Sequence, residues 1–295
     1  MKQILLFFTI LFLNLPGFSQ FFIHMVLPMG VSAYLYGDTL LYSSDILRHE
    51  GIRKITSYQT RPEITKTLSP ITTYLTMNGT IEAKVSCIPR SKASDSSFCM
   101  KDTILYDSKG QLMEFRSKDA RGFTFMQCKL DYVSERKVKY TWITTVPQKS
   151  DSNTYINYHY YNEKGQLVRF EQDVKKLVPV NASLYYGDDG LLDSIRHDNP
   201  AWGIYVFKSK EKGKTKEIEM ETDLAKFKWV YNSLGQCIAS EWFKKNQFNS
   251  LQQSKRKHKA DAEANYYYNA NGTLSKVVEK RFGKEITTTF YSYTK

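Results

Sequence analysis

A short motif that recurs five times along the chain constrains its fold more than any other feature. Each copy starts with Tyr, usually continues with Asn or Asp, places Gly four residues after the Tyr, and ends two residues later in Leu or Cys. With 21 Tyr and 15 Gly in 295 residues, a Tyr-to-Gly spacing of this kind is expected about once by chance. The motif is therefore an internal repeat. Its defining residues are Tyr106, Gly110, Leu112, Tyr161, Gly165, Leu167, Tyr186, Gly190, Leu192, Tyr231, Gly235, Cys237, Tyr268, Gly272 and Leu274.

The chemistry of the motif is that of a β-hairpin tip. The Asn or Asp side chain can hold a turn, and Gly can adopt the positive φ that closes a loop of four or five residues. Tyr and Leu would then face each other as the last residues of two strands. The flanking segments are rich in aromatic and β-branched residues. We therefore expect an all-β fold, an antiparallel meander of long β-hairpins that forms a twisted or partly closed sheet. A sixth, degenerate copy begins at Tyr74 and ends at Ile81, with a spacing one residue longer.

The repeats are unevenly spaced, which predicts that one end of each hairpin is constant and the connection at the other end varies. The longest variable pieces are polar or basic, and they are Arg90–Ser97, Pro147–Asn153, Lys208–Lys216 and Lys244–Lys259. Gly213 would form a further hairpin tip within the third of these pieces. The basic excess is thus expected in the loops.

The N-terminus has the pattern of an export signal. Lys2 is followed by an apolar run from Ile4 to Leu15 and then by small residues before Gln20, so residues 1–19 are predicted to be a cleaved signal peptide. An uncleaved membrane anchor is the alternative. Export would place the protein in the periplasm, on the cell surface or outside the cell. Removal of Lys2 would change the net charge from +12 to +11.

Two segments follow the signal. Residues 20–69 are predicted to hold a short helix over Ser43–Glu50, ended by Gly51, and a first strand over Ile52–Thr60. Residues 70–295 would form the repeat domain.

Export makes disulfide bonds between the four cysteines possible, because exported chains meet oxidising conditions. Cys87 and Cys99 flank a polar segment, and a disulfide between them would close that loop. Four buried free thiols are an equally weighted alternative. No Cys-x-x-Cys occurs and the five His are scattered, so no metal site is expected.

The five motifs resemble the repeats of the YD-repeat group, best known from RHS proteins, and those of YD-type exported proteins of Bacteroidota. Similarity to MORN-like repeats is weaker. The resemblance covers roughly residues 70 to 295 and implies a β-sheet shell. The chain has few copies, irregular spacing and no separate C-terminal toxin segment, so the resemblance implies no toxin-enclosing cage. It carries over no catalytic residue.

No motif for a nucleophile, a phosphate loop or a metalloprotease occurs, so we expect no catalytic residue, no cofactor and no enzymatic activity. The predicted function is display of a β surface for an envelope or extracellular protein, or for an acidic polysaccharide. Nucleic acid is not an expected partner of an exported protein. Trp202 is the best candidate for an exposed ligand contact, although it could equally plug a sheet edge.

Two alternatives to a binding surface remain. The first is an envelope hydrolase whose carboxylates converge from distant strands. The second is a small outer-membrane β-barrel, since alternating aromatic strands are typical of that class. The charged strands argue against the barrel. A mean hydropathy of -0.47, with one long apolar run at the N-terminus, excludes an integral helical membrane protein.

Overall fold

The computed structural model describes residues 44–60, 70–88, 98–145, 152–173, 181–188, 190, 192–200, 203–222, 225–244 and 260–295. These residues form one short helix, α1 (Ser44–His49), and 18 β-strands. The first nine strands are β1 (Lys54–Thr60), β2 (Ile71–Leu75), β3 (Ile81–Ile88), β4 (Phe98–Tyr106), β5 (Leu112–Asp119), β6 (Thr124–Ser134), β7 (Lys137–Thr145), β8 (Ser152–Tyr161) and β9 (Leu167–Asp173). The second nine are β10 (Ala182–Tyr186), β11 (Leu192–His197), β12 (Ile204–Lys212), β13 (Thr215–Glu221), β14 (Ala225–Tyr231), β15 (Cys237–Lys244), β16 (Ala262–Tyr268), β17 (Leu274–Arg281) and β18 (Lys284–Thr294).

The strands form a closed antiparallel barrel. Each strand pairs with its neighbours in sequence, and β1 pairs with both β2 and β18. The closing pairing runs over seven residues, from Lys54 opposite Thr294 to Thr60 opposite Thr288. Closure removes the unpaired edges that an open sheet would expose. The predicted all-β antiparallel meander is confirmed, as is the short N-terminal helix.

The inner face of the barrel is mainly apolar and shielded from water. In β14 the alternate residues Phe227, Trp229 and Tyr231 are all 5 % exposed or less. Across the barrel Phe115 and Ile195 are fully buried. Inward-facing side chains therefore form the hydrophobic core.

The outer face carries charges in cross-strand pairs. Glu219 of β13 lies 2.9 Å from Lys226 of β14, measured between Oε1 and Nζ. The Lys228 ammonium lies 3.2 Å from Glu217 on one side and 3.8 Å from Glu241 on the other. Glutamate and lysine thus alternate around the wall formed by β13, β14 and β15.

The two ends of the barrel differ. The eight connections that run from an even-numbered strand to the next odd-numbered strand all lie at one end, here called the tip end, because the strands alternate in direction. The β12–β13 hairpin confirms the predicted tip at Gly213, whereas most of Lys208–Lys216 lies in strands and is not a variable loop. Residues 208–212 lie within β12, and Gly213, with a φ of 61°, turns the chain at the tip end.

Each repeat forms a hairpin tip, and in three copies the side-chain oxygen of the residue after the Tyr, namely Asp107, Asn162 or Asn232, accepts backbone N–H groups of the turn. In the copy that starts at Tyr231, the Asn232 Oδ1 accepts hydrogen bonds from the backbone N–H groups of Leu234 (3.0 Å) and Gln236 (2.9 Å). Gly235 has a φ of 73°, which favours glycine. Tyr231 lies directly opposite Cys237, and a bulge precedes the pair. The same Tyr-to-Leu register occurs in the other four copies, at Tyr106 and Leu112, Tyr161 and Leu167, Tyr186 and Leu192, and Tyr268 and Leu274.

The hydroxyl groups of five inward tyrosines near the tips each link a hairpin to the one before it. The Tyr268 hydroxyl donates to the Cys237 carbonyl at 2.8 Å, which joins β16 to β15 beyond their backbone ladder. Four more tyrosines donate in the same way, namely Tyr106 to Ile81, Tyr132 to Leu112, Tyr186 to Leu167 and Tyr293 to Leu274. These tyrosines therefore contribute hydrogen bonds between hairpins as well as packing.

Glutamine adds a second link between tips. The Gln236 amide accepts a hydrogen bond from Asn232 of its own turn (2.9 Å) and donates to the Gly272 carbonyl of the next repeat (3.1 Å). Gln166 does the same between Asn162 and the Gly190 carbonyl. The residue between Gly and Leu, which the sequence pattern leaves free, therefore has a structural role in these two copies.

The sixth copy is displaced by one residue from its predicted position. Leu75 lies opposite Ile81 and is buried, whereas Tyr74 points outward and is 42 % exposed. Gly79 turns the chain four residues after Leu75, so the spacing of this copy equals that of the others. The prediction that it starts at Tyr74 is wrong, because the inward position is occupied by Leu.

Helix α1 packs at the tip end. Leu47 is 1 % exposed, and Ile46 lies so close to the β16–β17 tip that a Cβ on Gly272 would be 2.9 Å from its Cδ1. The chain therefore approaches its first strand across the same end that holds the repeats.

A test of the tyrosine links uses two neighbouring residues of β16. We expect Tyr268→Phe to lower the free energy of unfolding by about 1 kcal/mol, because it removes the partly buried hydrogen bond to Cys237. Tyr267→Phe is the matched control, since Tyr267 is 46 % exposed on the outer face. Urea denaturation of both variants checks this, and equal effects would show that the hydroxyl link contributes nothing.

Candidate functional site

The inward layer of side chains at the tip end has one interruption. The last inward residue of nearly every even-numbered strand is Tyr, with Leu75 taking that place in β2. In β12 it is Glu211, and the residue opposite on β13 is Lys216 rather than an apolar residue. Both positions share the inner face with Tyr231, which lies opposite Lys216 on β14. A charged pair thus replaces the Tyr and Leu of the repeat at this one hairpin.

An open groove of about 440 Å³ lies at this interruption. Ile218 and Tyr231, both buried, form its apolar floor. The β12–β13 tip and the β14–β15 tip form its two sides, and their lining residues are Glu211, Gly213, Lys214, Thr215, Lys216, Asn232, Ser233 and Gly235. Its volume is within the range of small-molecule sites.

The charges of the groove differ from those of the outer wall. Glu211 and Lys216 are direct cross-strand neighbours, yet among the described residues neither makes an ion pair. Outward charges of the same hairpin are paired, since Lys212 lies 3.9 Å from Glu217. The groove therefore presents a carboxylate and two ammonium groups, including that of Lys214, to whatever enters it.

The polar side chains beneath the groove are neutral. Burial raises the pKa of the Tyr231 hydroxyl well above its ordinary value. Burial also raises the pKa of the Cys237 thiol, to about 12. A thiol acts as a nucleophile only when it is deprotonated. The arrangement is therefore suited to holding a ligand and offers no activated nucleophile.

A buried carboxylate lies elsewhere on the inner face, and it is the group most relevant to the predicted alternative of a hydrolase. Asp102 of β4 is 3 % exposed, accepts a hydrogen bond from the Ser117 hydroxyl, and lies opposite Lys84. Burial raises the pKa of Asp102, while Ser117 and Lys84 oppose that shift. Among the described residues, no group of three or more His, Cys, Asp and Glu side chains could hold a metal ion.

The burial of Asp102 predicts a pH dependence of stability. A raised folded-state pKa means that its contribution to stability is present below the unfolded pKa and is lost as the pH rises through the folded pKa. We therefore expect Asp102→Asn to gain stability relative to the wild type as the pH rises above about 4. Denaturation at several pH values measures this, with Asp193→Asn, on an exposed position of β11, as control. A pH-independent difference between wild type and Asp102→Asn would contradict the assignment.

The remaining predicted site residues are placed as follows. Cys99 is disulfide-bonded and lies opposite Cys87 in the β3–β4 ladder, whereas Cys128 and Cys237 are free and buried. These positions support the predicted Cys87–Cys99 bridge. Trp202 and residues 1–19 lie outside the described residues. No helix in the described part of the chain is long and apolar enough to cross a membrane.

Sequence reasoning did not find the groove. The signal was present, because Lys212-Gly213-Lys214 forms a tip without the Tyr and Leu of the repeat. That signal can be interpreted only when the structure shows that the β12–β13 tip lies at the same end of the barrel as the repeat tips.

Comparison with known proteins adds little. No family model matches the chain, and no curated protein matches it. Among solved structures, the chain is similar to a porin-like protein from Bacteroides uniformis, with 10 % sequence identity and a TM-score of 0.43, over 82 % of this chain and 96 % of that one. The barrel is defined by the strand pairing of this chain itself.

Proposed function

We propose that the protein is a non-catalytic β-barrel of the cell envelope that binds partners at its two ends. The closed ring of 18 strands favours a barrel over an open repeat surface. From the sequence, a barrel is expected only as an outer-membrane alternative. The resemblance to YD-repeat proteins and the signal peptide stay predictions.

The polarity of the outer wall is the observation that supports an aqueous location for the barrel. A barrel in a bilayer turns apolar side chains outward, and a large one of the porin type encloses water. Here the outer face carries Lys226, Lys228 and Glu219, while Phe227 and Trp229 are buried inside. Lysine facing the middle of a bilayer costs about 2–4 kcal/mol. This supports a barrel that stands in the aqueous part of the envelope, with its core serving as a scaffold.

Absence of catalysis is part of the proposal. The Cys237 thiol is held neutral by burial, and Asp102 lies on the shielded inner face. An acidic or protein partner is the proposed class of large ligand. The segment 245–259 has five Lys or Arg and no acidic residue. It connects an odd-numbered strand to an even-numbered one, β15 to β16, so an acidic polysaccharide would be attracted to the end of the barrel opposite the tip end.

Insertion into the outer membrane is the second candidate, and the closed ring is the observation that favours it. The two candidates make opposite predictions about the medium in which the barrel folds.

Refolding separates the candidates. We expect the mature chain to refold from urea in detergent-free buffer into a monodisperse, β-rich species, because its outer face is charged. Circular dichroism and size-exclusion chromatography measure this, and extraction of cell envelopes at alkaline pH should release the protein into the soluble fraction. A chain that folds only with detergent or lipid, and that resists alkaline extraction, would establish the inserted barrel instead.

A further inference from the structure

We propose that the groove at the β12–β13 tip binds a short zwitterionic peptide that carries an apolar side chain. This inference deepens the proposed function, because it names the ligand class of the tip end.

Glu211 and Lys216 face each other across β12 and β13 on the inner side of the hairpin. Side chains directly opposite in an antiparallel pair have Cβ atoms about 4.5–5.5 Å apart. The two charges are close enough to pair, yet within the described residues they do not, whereas Lys228 on the outer face contacts two glutamates. A ligand that carries both charges can satisfy both groups at once.

Simpler ligands fit less well. An anion bound by Lys214 and Lys216 would lie close to the like charge of Glu211. A cation bound by Glu211 would lie close to the like charges of the two lysines. A neutral apolar molecule would leave the charged groups without partners as it displaced their water. A peptide with free termini matches the set, since its ammonium group can contact Glu211 and its carboxylate can contact Lys216. Charge-assisted hydrogen bonds of this type are stronger than neutral ones.

The floor selects the side chain. Ile218 is 8 % exposed and Tyr231 is 5 % exposed, so an aliphatic side chain placed between the charged groups would contact apolar surface. The groove volume of about 440 Å³ accommodates two or three residues and excludes a folded domain. The geometry therefore points to a dipeptide or tripeptide with an apolar residue.

The experiment is a titration of the full mature barrel with alanyl-leucine, followed by isothermal calorimetry and by NMR. We expect saturable binding, with shifts in the signals of Ile218 and Tyr231. N-acetyl-alanyl-leucine amide, which has the same side chains and no charged termini, should bind at least tenfold more weakly. Glu211→Gln and Lys216→Gln should each weaken alanyl-leucine by about tenfold, which is the effect of losing one charge-assisted hydrogen bond.

Lys210→Gln is the matched control, because Lys210 is an exposed residue of the same strand on the outer face. It should leave binding unchanged. Equal affinity for the capped and uncapped peptides, no binding of either, or an equal loss in Lys210→Gln would overturn the inference. None of these results bears on whether the barrel folds in detergent-free buffer, so failure of the peptide site and failure of the proposed envelope barrel are distinguishable.

Discussion

The hydrogen bond from a tip tyrosine to the carbonyl of the preceding hairpin is the interaction on which the rest of the barrel depends. A hairpin alone is marginally stable in water, and 18 strands must also keep a single register. Tyr186 and Tyr268 each tie the end of one hairpin to the end of the one before it. Five such links join successive hairpins around the barrel, and the pairing of β1 with β18 closes the ring.

Because the barrel is closed around an apolar interior, its inner and outer faces differ in polarity. Side chains such as Phe115 and Trp229 fill the inner face, while glutamates and lysines alternate on the outer wall formed by β13, β14 and β15. This polarity is the reverse of that of a bilayer barrel. One hairpin departs from the apolar layer, where Glu211 and Lys216 replace the repeat residues. The departure creates the groove, and the core around it holds the groove in place.

The sequence predicts the parts of this barrel that local chemistry determines. Tyr, Asn and Gly specify a tip wherever they occur together, and the short helix and the meander order follow from similar local rules. The closing pair of strands is invisible in sequence, because Ile55 and Tyr293 are far apart along the chain. The sequence pattern places the start of the sixth copy one residue too early, because Tyr74, which precedes Leu75, matches the pattern. The groove could not be predicted from the sequence. Glu211 and Lys216 become informative only when the structure shows that they stand where the other hairpins have inward Tyr and Leu.

The most direct test of this account is the accessibility of thiols on the two faces of the native barrel. Cys128 and Cys237 are inward and fully buried, while Glu241→Cys would place a thiol on the outer wall. In aqueous buffer, and equally after incubation with lipid vesicles, a charged maleimide should label the thiol introduced at position 241 rapidly and leave Cys128 and Cys237 unmodified until the protein unfolds. Rapid labelling of the two native thiols, or protection of the introduced thiol by the vesicles, would contradict the account.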